Sequence, residues 1–368
     1  MIAILLSFGA HGASAFETRA TAAYLVDVAS GTVLFEKNGD EPMAPASMSK
    51  MMTIYMLMDR VAEGELALSD KLPVSEKAWR MGGSRMFVEV GTRVGVEELL
   101  RGLIIHSGND AAVVVAEALG GTEERFAEMM TEKAIALGMN GSNFANATGW
   151  PHPDHYMTPK DLAILAERTV LDFPNLYEYY SERSFKYNNI SQDNRNPLLY
   201  RDIGADGMKT GHTEASGYGL VSSVERNGRR LILVVNGLQS ARARGDESER
   251  LLQYGFREFK TITLYQRGDV VTDATVWTGD SDQVSLVAAR DFTVSIPRRA
   301  NKSISMKAVF EQPLPAPLSQ GSQAGVLHLS AEDMPETAKL PLLVGSDVER
   351  LGAFGRLISA AHYYVVGR

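Results

Sequence analysis

The sequence predicts an α+β domain over residues 16–260, an antiparallel sheet packed with helices, then a small all-β domain over 261–345 and an amphipathic helix over 346–368. Three observations carry this reading. Strand-like alternation near the start and again near residue 230 brackets a run of helical segments, so an early hairpin can join a late one in one antiparallel sheet. Beyond Lys260 the chain turns to short alternating stretches separated by Gly and Pro, the habit of a small β domain. The extreme end returns to apolar residues at three- and four-residue steps, the period of a helix with one greasy face.

The elements follow in order. Ile2 to Ala10 is a short apolar run, and Ala13-Ser14-Ala15 is a small-x-small pattern before Phe16. Together they read as a secretory signal over residues 1–15, although no Lys or Arg precedes Arg19. Tyr24 to Val28 and Thr32 to Phe35 alternate around Ser30-Gly31 and form a hairpin. Ser47 to about Ala62 is apolar nearly all round and ends at Gly64, so it is a helix buried inside the domain. Val96 to Ile105 and Asp110 to Leu119 are two more helices jointed at His106-Ser107-Gly108-Asn109. Thr122 opens a helix ending at Gly138, and Thr158-Pro159 is an N-cap with Pro at the first helical position. Tyr218 to Glu225 and Arg229 to Val235 flank Asn227-Gly228, the strongest short hairpin signal. Phe292 to Ile296 and Ile304 to Met306 are alternating stretches of the β domain, and Val348, Leu351, Phe354, Leu357, Ile358, Ala361 and Val365 make the apolar stripe of the terminal helix.

Composition narrows the function. The chain has 368 residues, 45% hydrophobic and 22% charged, with a net charge of −8. An acidic chain is a poor partner for nucleic acid. No cysteine is present, which excludes disulfides and thiol chemistry. The seven histidines form no tight metal-ligand cluster, so neither a metal nor a cofactor is expected.

Three short motifs carry chemistry. In Ser47-Met48-Ser49-Lys50 the first and last residues lie on one helix face and can meet. A serine hydroxyl needs a neighbouring base, and Lys50 serves only when burial or a nearby cation lowers its pKa. The ordinary reading is a capping serine with a solvated lysine, but this helix is too apolar for a surface. Ser107-Gly108-Asn109 lies on the inter-helix joint. It reads either as a turn with Asn109 as N-cap, or as a proton-relay serine with an asparagine that bonds a substrate amide. Lys209-Thr210-Gly211-His212-Thr213 reads as a plain strand entry or as a carboxylate site. In the second reading Lys209, Thr210 and Thr213 bind the anion, and Gly211 lets a substrate backbone approach along a strand edge.

The order Ser-x-x-Lys, Ser-x-Asn, Lys-Thr-Gly is the set known from penicillin-binding proteins and class A β-lactamases. The chain resembles the low-molecular-mass penicillin-binding proteins, specifically the D-alanyl-D-alanine carboxypeptidases with a β-rich second domain. The resemblance extends to Pro45-Ala46-Ser47-Met48-Ser49-Lys50-Met51-Met52-Thr53, Gly82 to Phe87, Asn194-Arg195-Asn196, Asp206 to Thr213, Ala316 to Ser319, Gly325 to Leu329 and the terminal helix. It therefore covers essentially the whole chain.

That resemblance implies a serine acyl-enzyme on Ser47 with Lys50 as base, and an oxyanion hole from the N–H groups of Ser47 and His212. It implies catalytic duty for Ser107, Asn109 and Lys209, and substrate binding by Thr210, Gly211, His212 and Thr213. Arg244 matches a carboxylate-binding arginine, with Arg242 adjacent. His155 falls where the family has a histidine near the site, and it equally reads as a loop histidine without catalytic duty. The implied substrates are peptidoglycan stem peptides, with β-lactam antibiotics as covalent inhibitors. The implied location is the periplasm, on the outer face of the inner membrane, with the terminal helix lying in the membrane surface. A class A β-lactamase would carry Glu-x-x-Leu-Asn between the second and third motifs, and no such pattern occurs. A D,D-endopeptidase using the same site, and a non-catalytic wall-binding scaffold, are the remaining alternatives.

Overall fold

The computed structural model describes residues 16–299, 304–330, 338–352 and 355. The expected signal segment and most of the expected terminal helix lie outside them. The first hairpin is β1 (Ala22–Asp27) and β2 (Thr32–Lys37). After a 3₁₀ turn at Ala46–Ser49 comes helix α1 (Lys50–Ala62). Short strands β3 (Lys71–Pro73) and β4 (Arg93–Gly95) pair with each other around α2 (Glu76–Arg80). Helix α3 (Val96–Arg101) runs into a π-helical stretch, Gly102–His106, then α4 (Asn109–Gly120) and α5 (Glu123–Ala136). Helices α6 (Pro159–Asp172) and α7 (Pro174–Tyr177) precede a hairpin of β5 (Ser184–Tyr187) and β6 (Ile190–Asp193). Strands β7 (Ala205–Thr213), β8 (Gly217–Arg226) and β9 (Arg229–Leu238) are followed by α8 (Ala241–Glu258).

The five strands form one antiparallel sheet in the order β2-β1-β9-β8-β7, so the early hairpin does join the late one. Successive side chains of a strand point to opposite faces, and the two faces enclose different cores. Tyr24, Val26, Ile232 and Val234 face the helical layer around α1, α4 and α6. Ala23, Leu25, Leu231, Leu233 and Val235 face α8 through Leu251 and Leu252. Helix α1 is buried from Lys50 to Met58 without interruption, as its all-round apolar sequence requires. Thr122 and Thr158 cap α5 and α6 by accepting from Arg125 N and Asp161 N.

The second unit is all β. Strand β10 (Phe259–Tyr265) pairs with β13 (Phe292–Pro297). The others are β11 (Val270–Trp277), β12 (Gln283–Ala288), β14 (Ser305–Phe310), β15 (Leu314–Pro315), β16 (Gln323–Ser330) and β17 (Ala338–Val344). They form a six-stranded sheet in the order β14-β16-β17-β12-β11-β15. One expectation is corrected here. Residues 346–352 are not helical: Val348 bridges Leu318, Arg350 bridges Gly279, and Val348 is 2% exposed in the β-domain core. Its apolar side chain follows the terminal stripe in spacing, but backbone pairing to the β domain wins.

The two units meet at a buried polar joint. Asp27, fully buried, accepts from Arg229 Nε and Thr261 Oγ1, both at 2.7 Å, and from the N–H groups of Ala29 and Ser30. Ser295 on β13 reaches Ser30 and Thr261 by hydroxyl contacts of 3.0 and 2.8 Å. Removing one partner of a buried pair leaves the other uncompensated. Asp27→Ala is expected to cost roughly 3 kcal/mol, read as a lower urea midpoint at unchanged slope.

Candidate active site

The site lies where the start of α1, the Ser107 joint and strand β7 converge. Ala46 adopts φ 49 immediately before Ser47, an uncommon conformation for a residue with a Cβ. Lys50 Nζ donates to Ser47 Oγ at 3.0 Å and to the Thr148 carbonyl at 2.6 Å. The lysine is fully buried. Burial, and then the Arg195 guanidinium, push its ammonium down to about 7 against the pull of Asp110. Arg195 is itself exposed and donates to Ser84 Oγ at 2.6 Å. Its field is partly screened by solvent, so burial is the main cause.

A second serine–lysine pair faces the first. Ser107 sits in the left-handed region (φ 58, ψ 35) at the end of the π-helical stretch, and its Oγ accepts from Lys209 Nζ at 2.8 Å. Burial, then the charges of Lys50, Arg195 and Arg244, hold the Lys209 ammonium well below its ordinary range. Asn109 is the first residue of α4 rather than its N-cap, which is Gly108. Its Nδ2 donates to the Gly82 carbonyl at 2.7 Å. Asp110, fully buried, accepts from the N–H groups of Met86, Phe87 and Val88, which clamps the 82–88 loop over the site.

Strand β7 is the edge of its sheet, so half of its backbone groups face away from β8. Thr210 is buried, His212 is exposed with its ring 3.9 Å from that of Tyr218, and Thr213 Oγ1 meets Ser216 Oγ at 2.7 Å. Gly211 has a different cause from the one its sequence suggested. A Cβ there would lie 2.7 Å from the Pro45 carbonyl oxygen and 3.0 Å from Met48 Cγ, so the missing side chain admits the turn that carries Ser47. Gly211→Ala must push strand and turn apart. Since about 1 Å of misplacement can cost roughly 10²-fold, a loss of that order in kcat/KM is expected with the melting temperature little changed.

Ser47, Asn109, His212 and Thr213 line a cleft of ≈ 320 Å³ together with Gly83, Ser84 and Trp150. Lys50, Ser107 and Lys209 are buried and reach it through the hydrogen bonds above. Arg244 is buried on α8. Its Nη2 donates to the Arg195 carbonyl at 3.3 Å, its guanidinium lies 5.8 Å from the Tyr218 ring centre, and burial lowers it to about 10. His155 lines an adjoining recess instead of the cleft. Among the described residues no group of three or more His, Asp or Glu converges to hold a metal ion.

Two contributors had no signal in the motifs. Asn146 Oδ1 accepts from the N–H groups of Thr148, Gly149 and Trp150, a turn that aims the Thr148 carbonyl at Lys50. Gly149 (φ +76) lies so close to Ala46 that a Cβ would sit 1.9 Å from its carbonyl oxygen.

A buried Ser–Lys pair at the head of a central helix, a second Ser–Lys pair beside it and an open edge strand define a serine acyl-transfer enzyme of the penicillin-binding class. Comparison with known proteins narrows this. Residues 9–240 match the family model for D-alanyl-D-alanine carboxypeptidase, and residues 259–350 match that for the C-terminal domain of penicillin-binding protein 5. The chain belongs to the D-alanyl-D-alanine carboxypeptidase family. It is 37% identical to D-alanyl-D-alanine carboxypeptidase DacC of Escherichia coli K12 over 341 residues, 90% of this chain and 85% of that one. The crystal structure of penicillin-binding protein 5 from Haemophilus influenzae superposes with a TM-score of 0.84 at 34% identity, covering 92% of this chain and all of that one. Penicillin-binding protein D2 from Listeria monocytogenes in its ampicillin-bound form matches at a TM-score of 0.60 and 29% identity, over 66% of this chain and 99% of that one.

Proposed function

We propose that this protein is a serine-type D-alanyl-D-alanine carboxypeptidase that removes the terminal D-alanine from peptidoglycan stem peptides. The observation that carries the reading is Ser47 in hydrogen-bond contact with a lysine whose pKa lies near 7, at the foot of an open strand edge. Neutral Lys50 takes the Ser47 proton as Oγ attacks the carbonyl between the two D-alanines. The N–H groups of Ser47 and His212 receive the developing oxyanion, and one such donor is typically worth about 10²–10³ in rate. Ser107 relays a proton to the departing amine. Lys209, Thr210, Thr213 and Arg244 hold the terminal carboxylate, and Asn109 bonds the substrate amide. Water then hydrolyses the acyl-enzyme. Penicillins acylate Ser47 by the same attack and leave slowly, in keeping with the ampicillin-bound relative.

The test is release of free D-alanine from a peptide ending in D-Ala-D-Ala, with the L-Ala-L-Ala isomer as control. Release from the D,D peptide alone supports the reading. A persistent penicillin adduct without release would move the assignment to a cross-link-cutting endopeptidase, and rapid penicillin turnover to a β-lactamase.

The location belongs to the same proposal: periplasmic, held to the outer face of the inner membrane by the amphipathic terminal segment. No helix among the described residues is long and apolar enough to cross a membrane. An interfacial helix of this kind binds reversibly. Deleting residues 353–368, beyond the bridges of Val348 and Arg350, is expected to move the protein to the soluble fraction. Unchanged partitioning would refute the anchor.

A further inference from the structure

Beside the cleft lies a recess of ≈ 280 Å³ that shares Ala46, Gly149, Trp150, Pro151 and Thr213 with it. Its other walls include Pro153 and Ala215, and none of the cationic residues Lys50, Lys209, Arg195 or Arg244 lines it. Trp150 is 51% exposed at the common lip, held there by its N–H to Asn146 Oδ1 at 3.0 Å. His155 also lines the recess and is only 4% exposed. Its Nδ1 accepts from the Ala145 N–H at 3.3 Å, which places the proton on Nε2. That Nε2 is buried and has no partner, and a buried donor left unpaired is costly unless a ligand completes it. Burial, then His152 and Lys50, hold His155 down to about 4, so the ring is neutral at pH 7.

The carboxylate end of the substrate belongs with the cations, and the recess opens from the cleft where there are none. We propose that this recess is the subsite for the residue preceding the two D-alanines, and that it selects a long side chain ending in an acceptor oxygen over one ending in an ammonium. The methylenes lie along Trp150 and the prolines, and His155 Nε2–H donates to the terminal oxygen. An ammonium brings a donor to a donor and leaves both unpaired. A site built around a hydrogen bond discriminates through the group it leaves unsatisfied. The inference rests on the carboxypeptidase reading and adds a substrate preference to it.

The test uses N-acetyl-X-D-Ala-D-Ala, with X as 2-aminoadipyl, its ω-amide, norleucyl, lysyl or alanyl, and kcat/KM for D-alanine release. The acid and the amide are expected to exceed the lysyl peptide about tenfold, with norleucyl between them. His155→Phe is expected to bring the acid and amide down to the norleucyl value. Ala215→Trp fills the recess from its exposed lip without touching His155, and is expected to lower the ratio of aminoadipyl to alanyl peptide about tenfold. Equal rates for all five peptides, or a ratio unmoved by Ala215→Trp, would overturn the subsite while leaving the carboxypeptidase reading intact. No release from any of them would overturn that reading and the subsite with it.

Discussion

Ser47→Ala is expected to abolish D-alanine release, a fall on the order of 10³–10⁶ in kcat, and to abolish the covalent penicillin adduct as well. The substitution removes the only atom placed to attack: Oγ lines the cleft and already contacts its base at 3.0 Å. It should not disturb the fold, because Ser47 is half-buried and its hydroxyl bonds only the Lys50 ammonium among the hydrogen bonds of the site. The checks are D-alanine by coupled assay and adduct mass by mass spectrometry. Residual release above a hundredth of the parent rate would mean that Ser47 is not the nucleophile.

Lys50→Met is the second large effect. Loss of a positioned base costs roughly 10²–10⁴ in the acylation rate. In the parent, the base is active when neutral, so acylation should rise with pH up to about 7 and level off above it. The variant should lose that limb along with the rate. Stability should move the other way. A lysine near 7 when folded and near 10.5 when unfolded gives up its proton on folding, so it destabilises the protein most below about 7, and the cost vanishes as pH approaches 10.5. Met fills similar volume without a charge to desolvate. A gain of about 1–3 kcal/mol at neutral pH is expected, read by chemical denaturation at pH 7 and again near pH 10, where the gain should shrink.

Those opposed effects explain why α1 was legible. A lysine inside an otherwise apolar helix breaks the local pattern, and such breaks concentrate at functional sites. The hairpins around Ser30-Gly31 and Asn227-Gly228 were legible for a different reason, since turn chemistry and alternation are local. Helix α8 gave no such signal. Its buried residues include Arg244, Gly245, Glu247 and Ser248 beside Leu251 and Leu252, so its inward face is polar along the first turns and shows little apolar period. The hairpin of β5 and β6 is mostly exposed and likewise lacks a two-residue rhythm. At the other end, Val348 fits the helical stripe in sequence yet pairs with Leu318, because a backbone partner supplied by the β domain outweighs local spacing.

By itself the sequence determined the nucleophile and its base, whose one-turn separation is a property of any helix, together with the order of the three motifs and the α+β-then-β layout. Tertiary structure alone decided what surrounds them. Thr148 offers Lys50 a backbone carbonyl, an atom every residue has and no motif can advertise. Gly211 is glycine because Pro45, far away in sequence, lies against it. Lys209 meets Ser107 only because β7 borders the joint before α4. Each depends on a distance between segments remote along the chain, and the sheet that brings those segments together sets that distance.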